Sequence, residues 1–222
     1  MQLLLTSAGI KNPGIHAALL DMLSKPTAEC SALAISTASY GHPWAGPDRA
    51  WEFYSGQKTE TPMVELGWKS VGVLELTALP SIDESLWVPK LRETDVLLVN
   101  GGDTMYLHHW MRESGLAKLL PSLDIVWVGL SAGSMVMTPR IGEDFVIWKS
   151  PTGGDETLGF VDFAIFPHLD HPDLPENTIA HATRWAAKMP IQSYAIDDQT
   201  AIRMVDGKPE IISEGHWQHF PR

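Results

Sequence analysis

The chain has one cysteine, Cys30, among 222 residues. A single thiolate closes no internal disulfide and builds no zinc framework, which suits a reducing, cytoplasmic setting. Positive charge is also scarce: 16 Lys and Arg face 27 Asp and Glu, for a net charge of −11. A polyanion would meet repulsion over most of such a surface, so nucleic acid is not an expected partner. Long apolar runs are missing. No segment approaches the roughly 20 apolar residues that span a bilayer, and the opening Met1-Gln2-Leu3-Leu4-Leu5-Thr6 lacks the basic flank of a secretory signal. A membrane partner is therefore not expected either. Charged residues make up only 19% of the chain against 44% hydrophobic ones, with nine Trp, which is enough to bury a large core and too little charge for disorder. The length suits one domain over residues 1–222.

What is present is a series of short apolar runs bounded by Gly, Ser, Asn or Asp: Leu3 to Thr6, Ala32 to Ser36, Val71 to Leu76, Val96 to Val99 and Ile125 to Gly129. Parallel strands covered on both faces look like this in sequence. Helical spacing lies between and after them, at Ile15 to Leu23, Asp103 to Leu120 and Thr178 to Lys188. The alternation predicts an α/β fold: an open, largely parallel sheet, helices on both faces, and a ligand crevice at the carboxyl ends of the strands. Beyond residue 140 strands are expected at Asp144 to Trp148, Phe160 to Phe166, Ser193 to Ile196, Ala201 to Val205 and Glu210 to Ser213. Asp197-Asp198-Gln199 and Asp206-Gly207-Lys208 read as hairpin turns, so the sheet should end in antiparallel strands. Tyr40 to Pro62, rich in Gly, Pro and aromatics, reads as a long loop or lid with a short helix at Asp48 to Tyr54.

The run Ile125-Val126-Trp127-Val128-Gly129-Leu130-Ser131-Ala132-Gly133-Ser134 carries an apolar strand straight into Gly-x-Ser-x-Gly. This is the form of a nucleophile elbow, in which the serine occupies a sharp strand-to-helix turn and the glycines let strand and helix approach. A serine hydroxyl needs a base, normally a histidine oriented by a carboxylate. Of nine histidines, His168 follows the apolar run Phe160 to Pro167 and so lies at a strand end where it can face Ser131. His168, Asp170, His171 and His181 also allow a metal cluster, but their spacing matches no metalloprotease signature, and no metal or organic cofactor is expected. The orienting acid is Asp198 or its neighbour Asp197. Donors for an oxyanion are the amide of Ala132 and one from Gly101 or Gly102, in Val99-Asn100-Gly101-Gly102-Asp103-Thr104, where Asp103 or Thr104 can cap the following helix.

Taken together, Leu97 to Thr104, Gly129 to Ser134, Phe166-Pro167-His168 and Ala195 to Ala201 resemble the peptidase E (aspartyl dipeptidase) and cyanophycinase family of serine peptidases, in order and spacing over about residues 90 to 205. The resemblance implies a class I glutamine amidotransferase-like, flavodoxin-like fold. It implies Ser131 as nucleophile, His168 as general base, Asp198 as the acid and the amides of Gly102 and Ala132 as oxyanion hole. Two departures stand out. Asp198 falls where the family usually has Glu. The Thr-Arg-Glu-like run of the aspartate-selective members is Thr178-Ile179-Ala180 here, so selectivity for aspartate requires Arg184 or Arg140 to reach the site.

The expected protein is a cytoplasmic serine peptidase that hydrolyses small peptides through an acyl-enzyme, working as a monomer or homodimer. Gly101, Asp103 and Arg184 are the further candidates for substrate contact. The rivals are an α/β esterase, disfavoured because His168 follows Ser131 by only 37 residues, and a non-catalytic binding protein on the same scaffold.

Overall fold

The computed structural model describes residues 1–57 and 60–222. Among them the chain runs β1 (Gln2–Thr6), α1 (Pro13–Met22), β2 (Ser31–Ile35), α2 (Thr37–Gly41), α3 (Gly46–Tyr54), β3 (Ser70–Val73), α4 (Glu84–Arg92), β4 (Val96–Val99), α5 (Thr104–Glu113), α6 (Leu116–Leu119) and β5 (Val126–Leu130). It continues through α7 (Ala132–Met135), β6 (Ala164–Phe166), α8 (Ile179–Lys188), β7 (Ser193–Ile196), β8 (Thr200–Val205), β9 (Lys208–Ser213) and β10 (Trp217–Phe220).

Seven strands form one sheet in the order β3-β2-β4-β5-β1-β8-β9, parallel from β3 to β1 and antiparallel at β8 and β9. A second sheet of three strands has the order β10-β7-β6, with β6 and β7 parallel. The apolar runs of β1, β4 and β5 are continuous because both faces of the large sheet are covered there, whereas β3, expected to be covered likewise, is an edge strand with Val71 and Val73 exposed. Leu3 and Leu5 of β1 pack with Leu97, Val99 and Trp127 on one face, while Leu4 packs with Val96, Leu98 and Val128 on the other. The small sheet buries Phe166 and Ala195 against Trp185 of α8. Asn12 and Thr178 cap α1 and α8 through their side-chain oxygens, as short polar residues do at helix starts.

The expected open α/β sheet with a mixed end is present, with several corrections. Asp197-Asp198-Gln199 is not a hairpin turn: β7 pairs with β6 and β10, and β8 with β1 and β9, so this turn carries the chain from the small sheet to the large one. Asp206-Gly207 is a true hairpin, both residues having positive φ (49° and 75°). Asp144 to Trp148 is not a strand. Its start lies in a short 3-10 turn, and its aromatic Phe145 packs edge-on against Phe166 and Trp185, so the apolar spacing reflects core filling. Only Ala164–Phe166 of the run from Phe160 is strand; the amides of Phe160 and Val161 turn instead to the Met137 carbonyl. The helix over 103–120 breaks at Gly115, which is left-handed (φ 79°). The helix inside the Tyr40 to Pro62 segment exists as α3; residues 58 and 59 of that segment lie outside the described residues.

Candidate active site

The strand order reverses between β2 and β4, and open α/β sheets place their ligands at the carboxyl ends of strands beside such a point; here residues that follow β2, β4 and β5 line the site. Ser131 lies directly after β5 with φ 50° and ψ −108°, a conformation that costs a non-glycine residue roughly 1–3 kcal/mol and that the surroundings must enforce. Thr6, paired with Leu130 at the ends of β1 and β5, does much of this. Its carbonyl accepts the Ser131 amide at 3.0 Å and the Ser134 hydroxyl at 2.8 Å, and its own hydroxyl donates to the Gly129 carbonyl at 2.7 Å. The glycines of the motif have steric reasons: a Cβ on Gly129 would strike the Gly133 carbonyl, and one on Gly133 would strike the Val99 carbonyl of β4.

The parallel pairing of β6 with β7 sets Phe166 opposite Ala195, so the residues just beyond both strands come out side by side. His168 Nδ1 lies 2.7 Å from Asp198 Oδ1. Ser7, the residue after β1, bridges the sheets: its hydroxyl accepts the His168 amide at 2.6 Å and donates to Asp198 Oδ1 at 3.1 Å. Burial pushes the Asp198 carboxyl up, but the hydrogen bond and charge of His168, with help from His171 and Ser7, outweigh it and hold the group below the usual aspartate value. Asp197 does other work. Its oxygens accept from Gln199 and Thr200 on one side and the His216 amide on the other, which builds the turn between the sheets. Of the two neighbouring acids, Asp198 is the one against His168.

Ser131 and His168 line one cavity of about 410 Å³, a common size for a small-molecule cleft. Gly101 and Gly102 form another wall, and a Cβ on Gly101 would press on Leu130 and the Ser131 Cβ. Gly102 has φ 139° and packs on the Ala38 carbonyl, so no side chain fits there. Among the described residues, the amides of Gly102 and Ala132 donate to no protein acceptor. Asp103 also lines the cavity, but both its oxygens are engaged, by the Tyr106 amide it caps and by the Trp148 amide, each at 2.8 Å. Burial raises its pKa above the ordinary aspartate value.

Neither arginine singled out in the sequence reaches this cavity. Arg184 is exposed on α8, whose buried face carries Ala182 and Trp185, and Arg140 pairs with Asp155 and Glu156. The cation on the cavity wall is Arg49 of α3. That helix is anchored by buried Phe53 and by the Tyr54 hydroxyl, which accepts the Ser36 amide at 3.0 Å and donates to Glu75 at 3.3 Å. The remaining wall is largely apolar, from Trp44, Met135, Phe145, Ile147 and Leu174. Trp44 is 82% exposed and so stands at the rim. Sequence reasoning missed Ser7 and Arg49. Position directly after a buried strand was a usable signal for Ser7, whereas nothing local distinguished Arg49. The alternative metal grouping does not converge: His181 Nδ1 contacts the Glu176 carbonyl at 2.8 Å, away from the His168–Asp198 pair. Among the described residues no group of three or more His, Cys, Asp or Glu is placed to hold a metal ion, and no helix is long and apolar enough to cross a membrane.

An α/β sheet that ends in a strained serine, with a carboxylate-bound histidine on the same cavity, has the constitution of a serine hydrolase. The model of peptidase family S51 matches residues 3–212, and the chain belongs to that family of serine peptidases. It is 30% identical over 162 residues to an uncharacterized peptidase of Listeria monocytogenes serovar 1/2a, covering 68% of this chain and 77% of the relative. Against peptidase E of Shigella flexneri it is 27% identical over 181 residues, covering 78% and 72%. A solved structure from Listeria monocytogenes EGD-e, provisionally named peptidase E, superposes with a TM-score of 0.65 over 96% of this chain and 98% of that one, at 20% identity.

Proposed function

We propose that the protein hydrolyses small peptides through Ser131, His168 and Asp198. The observation that carries this reading is the shared cavity, on which a serine forced into the elbow conformation and a histidine already bound to a carboxylate both open. Asp198 accepts a hydrogen bond from the Nδ1–H of His168, which keeps that proton on Nδ1 and leaves Nε2 as the basic nitrogen. Ser131 Oγ attacks the scissile carbonyl carbon as His168 Nε2 accepts its proton. The carbonyl oxygen takes the negative charge, and the unpartnered amides of Gly102 and Ala132 are its donors. His168 returns the proton to the departing amine, and the acyl group stays on Ser131. Water then attacks the ester by the same route, restoring the free serine.

The size of the cavity favours short substrates, and residues of the 40–62 segment, Trp44 and Arg49, limit access from one side. Recognition of an acidic group falls to Arg49, the cation on the wall. The test is a dipeptide library scanned at the N-terminal residue, with fluorophosphonate labelling of wild type and Ser131→Ala in parallel. Labelling that vanishes in the variant, together with dipeptide turnover, supports the proposal. Folded wild type that takes up no label overturns it, and turnover of p-nitrophenyl esters without any dipeptide turnover indicates an esterase.

A further inference from the structure

Asp198 is one methylene shorter than glutamate, and a short carboxylate held at one oxygen turns freely about its last bond. In this chain the second oxygen also has a neighbour. His171, three residues beyond His168, places its Nε2 3.5 Å from Asp198 Oδ2. The backbone decides which nitrogen of that ring carries the proton. The Asp173 amide donates to His171 Nδ1 at 3.1 Å, so Nδ1 presents its lone pair and the proton resides on Nε2, toward Asp198. The ring is carried by a tight segment: the His171 amide donates to the His168 carbonyl at 3.2 Å and the Leu174 amide to the His171 carbonyl at 3.0 Å. His168 and His171 stand nearly perpendicular, at 84° with centroids 6.0 Å apart, and so approach the same carboxylate from different sides.

We propose that His171 is a positioning residue of this site, a second imidazole that holds Asp198 Oδ2 and thereby keeps Oδ1 against His168 Nδ1. The proposal rests on the reading of Ser131, His168 and Asp198 as the working triad. Ser7 and His168 supply donors to Oδ1, and His171 supplies the donor to Oδ2. At 3.5 Å the His171 contact is longer than a formed hydrogen bond. Contacts of this kind tighten when substrate fills a site. His171 touches no reacting atom; its effect passes through Asp198, as outer partners orient the groups they hold.

The test compares wild type with His171→Phe, which keeps a flat ring but has no donor, and His171→Gln, whose amide nitrogen reaches about as far as Nε2. Two quantities are read: kcat and KM on the best dipeptide of the library, and the second-order rate of fluorophosphonate labelling at Ser131. The expected result is a loss of about tenfold in both kcat and labelling rate for Phe, KM within about twofold, and recovery of most of the loss in Gln. A Phe variant within twofold of wild type, or Phe and Gln variants equally impaired, overturns the proposal. Should Phe not fold, His171→Ala is read the same way, since the side chain is partly open to solvent. Wild type that fails to label brings down the triad, and the positioning role with it, whereas normal wild-type labelling with indifferent variants brings down the positioning role alone.

Discussion

Ser131 and the His168–Asp198 pair stand on two differently built pieces of backbone. The serine ends a strand whose residues are buried on both faces, flanked by two parallel neighbours, β1 and β4, and followed by a helix pressed against the sheet. The pair stands on three- and four-residue strands at one side of a small sheet and is held in place chiefly by hydrogen bonds: Ser7 to the His168 amide, Ser7 to Asp198, and Asn177 to the Pro167 carbonyl. Dense packing tolerates no added atom, while a hydrogen-bonded assembly tolerates changes of shape but not the loss of a donor or acceptor. Substitutions on the two sides should therefore fail in different ways.

The largest effect is expected from Ser131→Ala, which removes the proposed nucleophile and should lower kcat/KM by about 10⁴-fold or more with a melting temperature close to wild type; activity assays beside circular dichroism melts check both halves of the statement. Asp198→Asn comes next, with a loss of up to about 10⁴-fold in kcat, because an amide in place of the carboxylate stabilises the wrong tautomer of His168. The same variant carries a pH signature. The Asp198 carboxyl is depressed in the fold, so its contribution to stability is present above its unfolded pKa and is lost as pH falls through the folded value. Wild type should melt a few degrees above Asp198→Asn at pH 7, and the two curves should converge below about pH 4. Gly133→Ala breaks the other side of the contrast: its Cβ meets the Val99 carbonyl, and urea denaturation should show a loss of about 2–4 kcal/mol, well beyond that of a surface change. The smallest effect is expected from Arg49→Ala. This exposed arginine also lies 3.5 Å from Glu52, so its loss should reduce kcat/KM about fivefold for dipeptides with an acidic residue and leave neutral ones unchanged. An equal loss for both classes would remove Arg49 from recognition.

The same contrast explains which parts were legible in the sequence. Buried parallel strands announce themselves as apolar runs, so β1, β2, β4 and β5 and the turns after them, including Ser131 and Gly102, could be read locally. His168 could be placed because it follows an apolar run, although only the last three residues of that run form strand. The choice between Asp197 and Asp198 depended on which sheet each side of the turn joins, and no local pattern records that. β10 escaped notice because Trp217 and Gln218 are exposed and its partner β7 lies about twenty residues earlier. Arg49 was invisible for a related reason: a charged residue on a half-exposed helix looks the same whether it faces solvent or a cavity.

Thr6 and Ser7 link the two halves, one to the serine elbow and the other to the histidine and its acid. The strand before Ser7, β1, pairs with β5 and β8, which begin at Val126 and Thr200, far along the chain. A nascent chain must therefore wait for some two hundred residues before β1 has both partners, and pairing so distant in sequence is slow to form. Ser131, His168 and Asp198 therefore come together only after the chain has been made through β8, so the cavity that the first two line is a late product of folding.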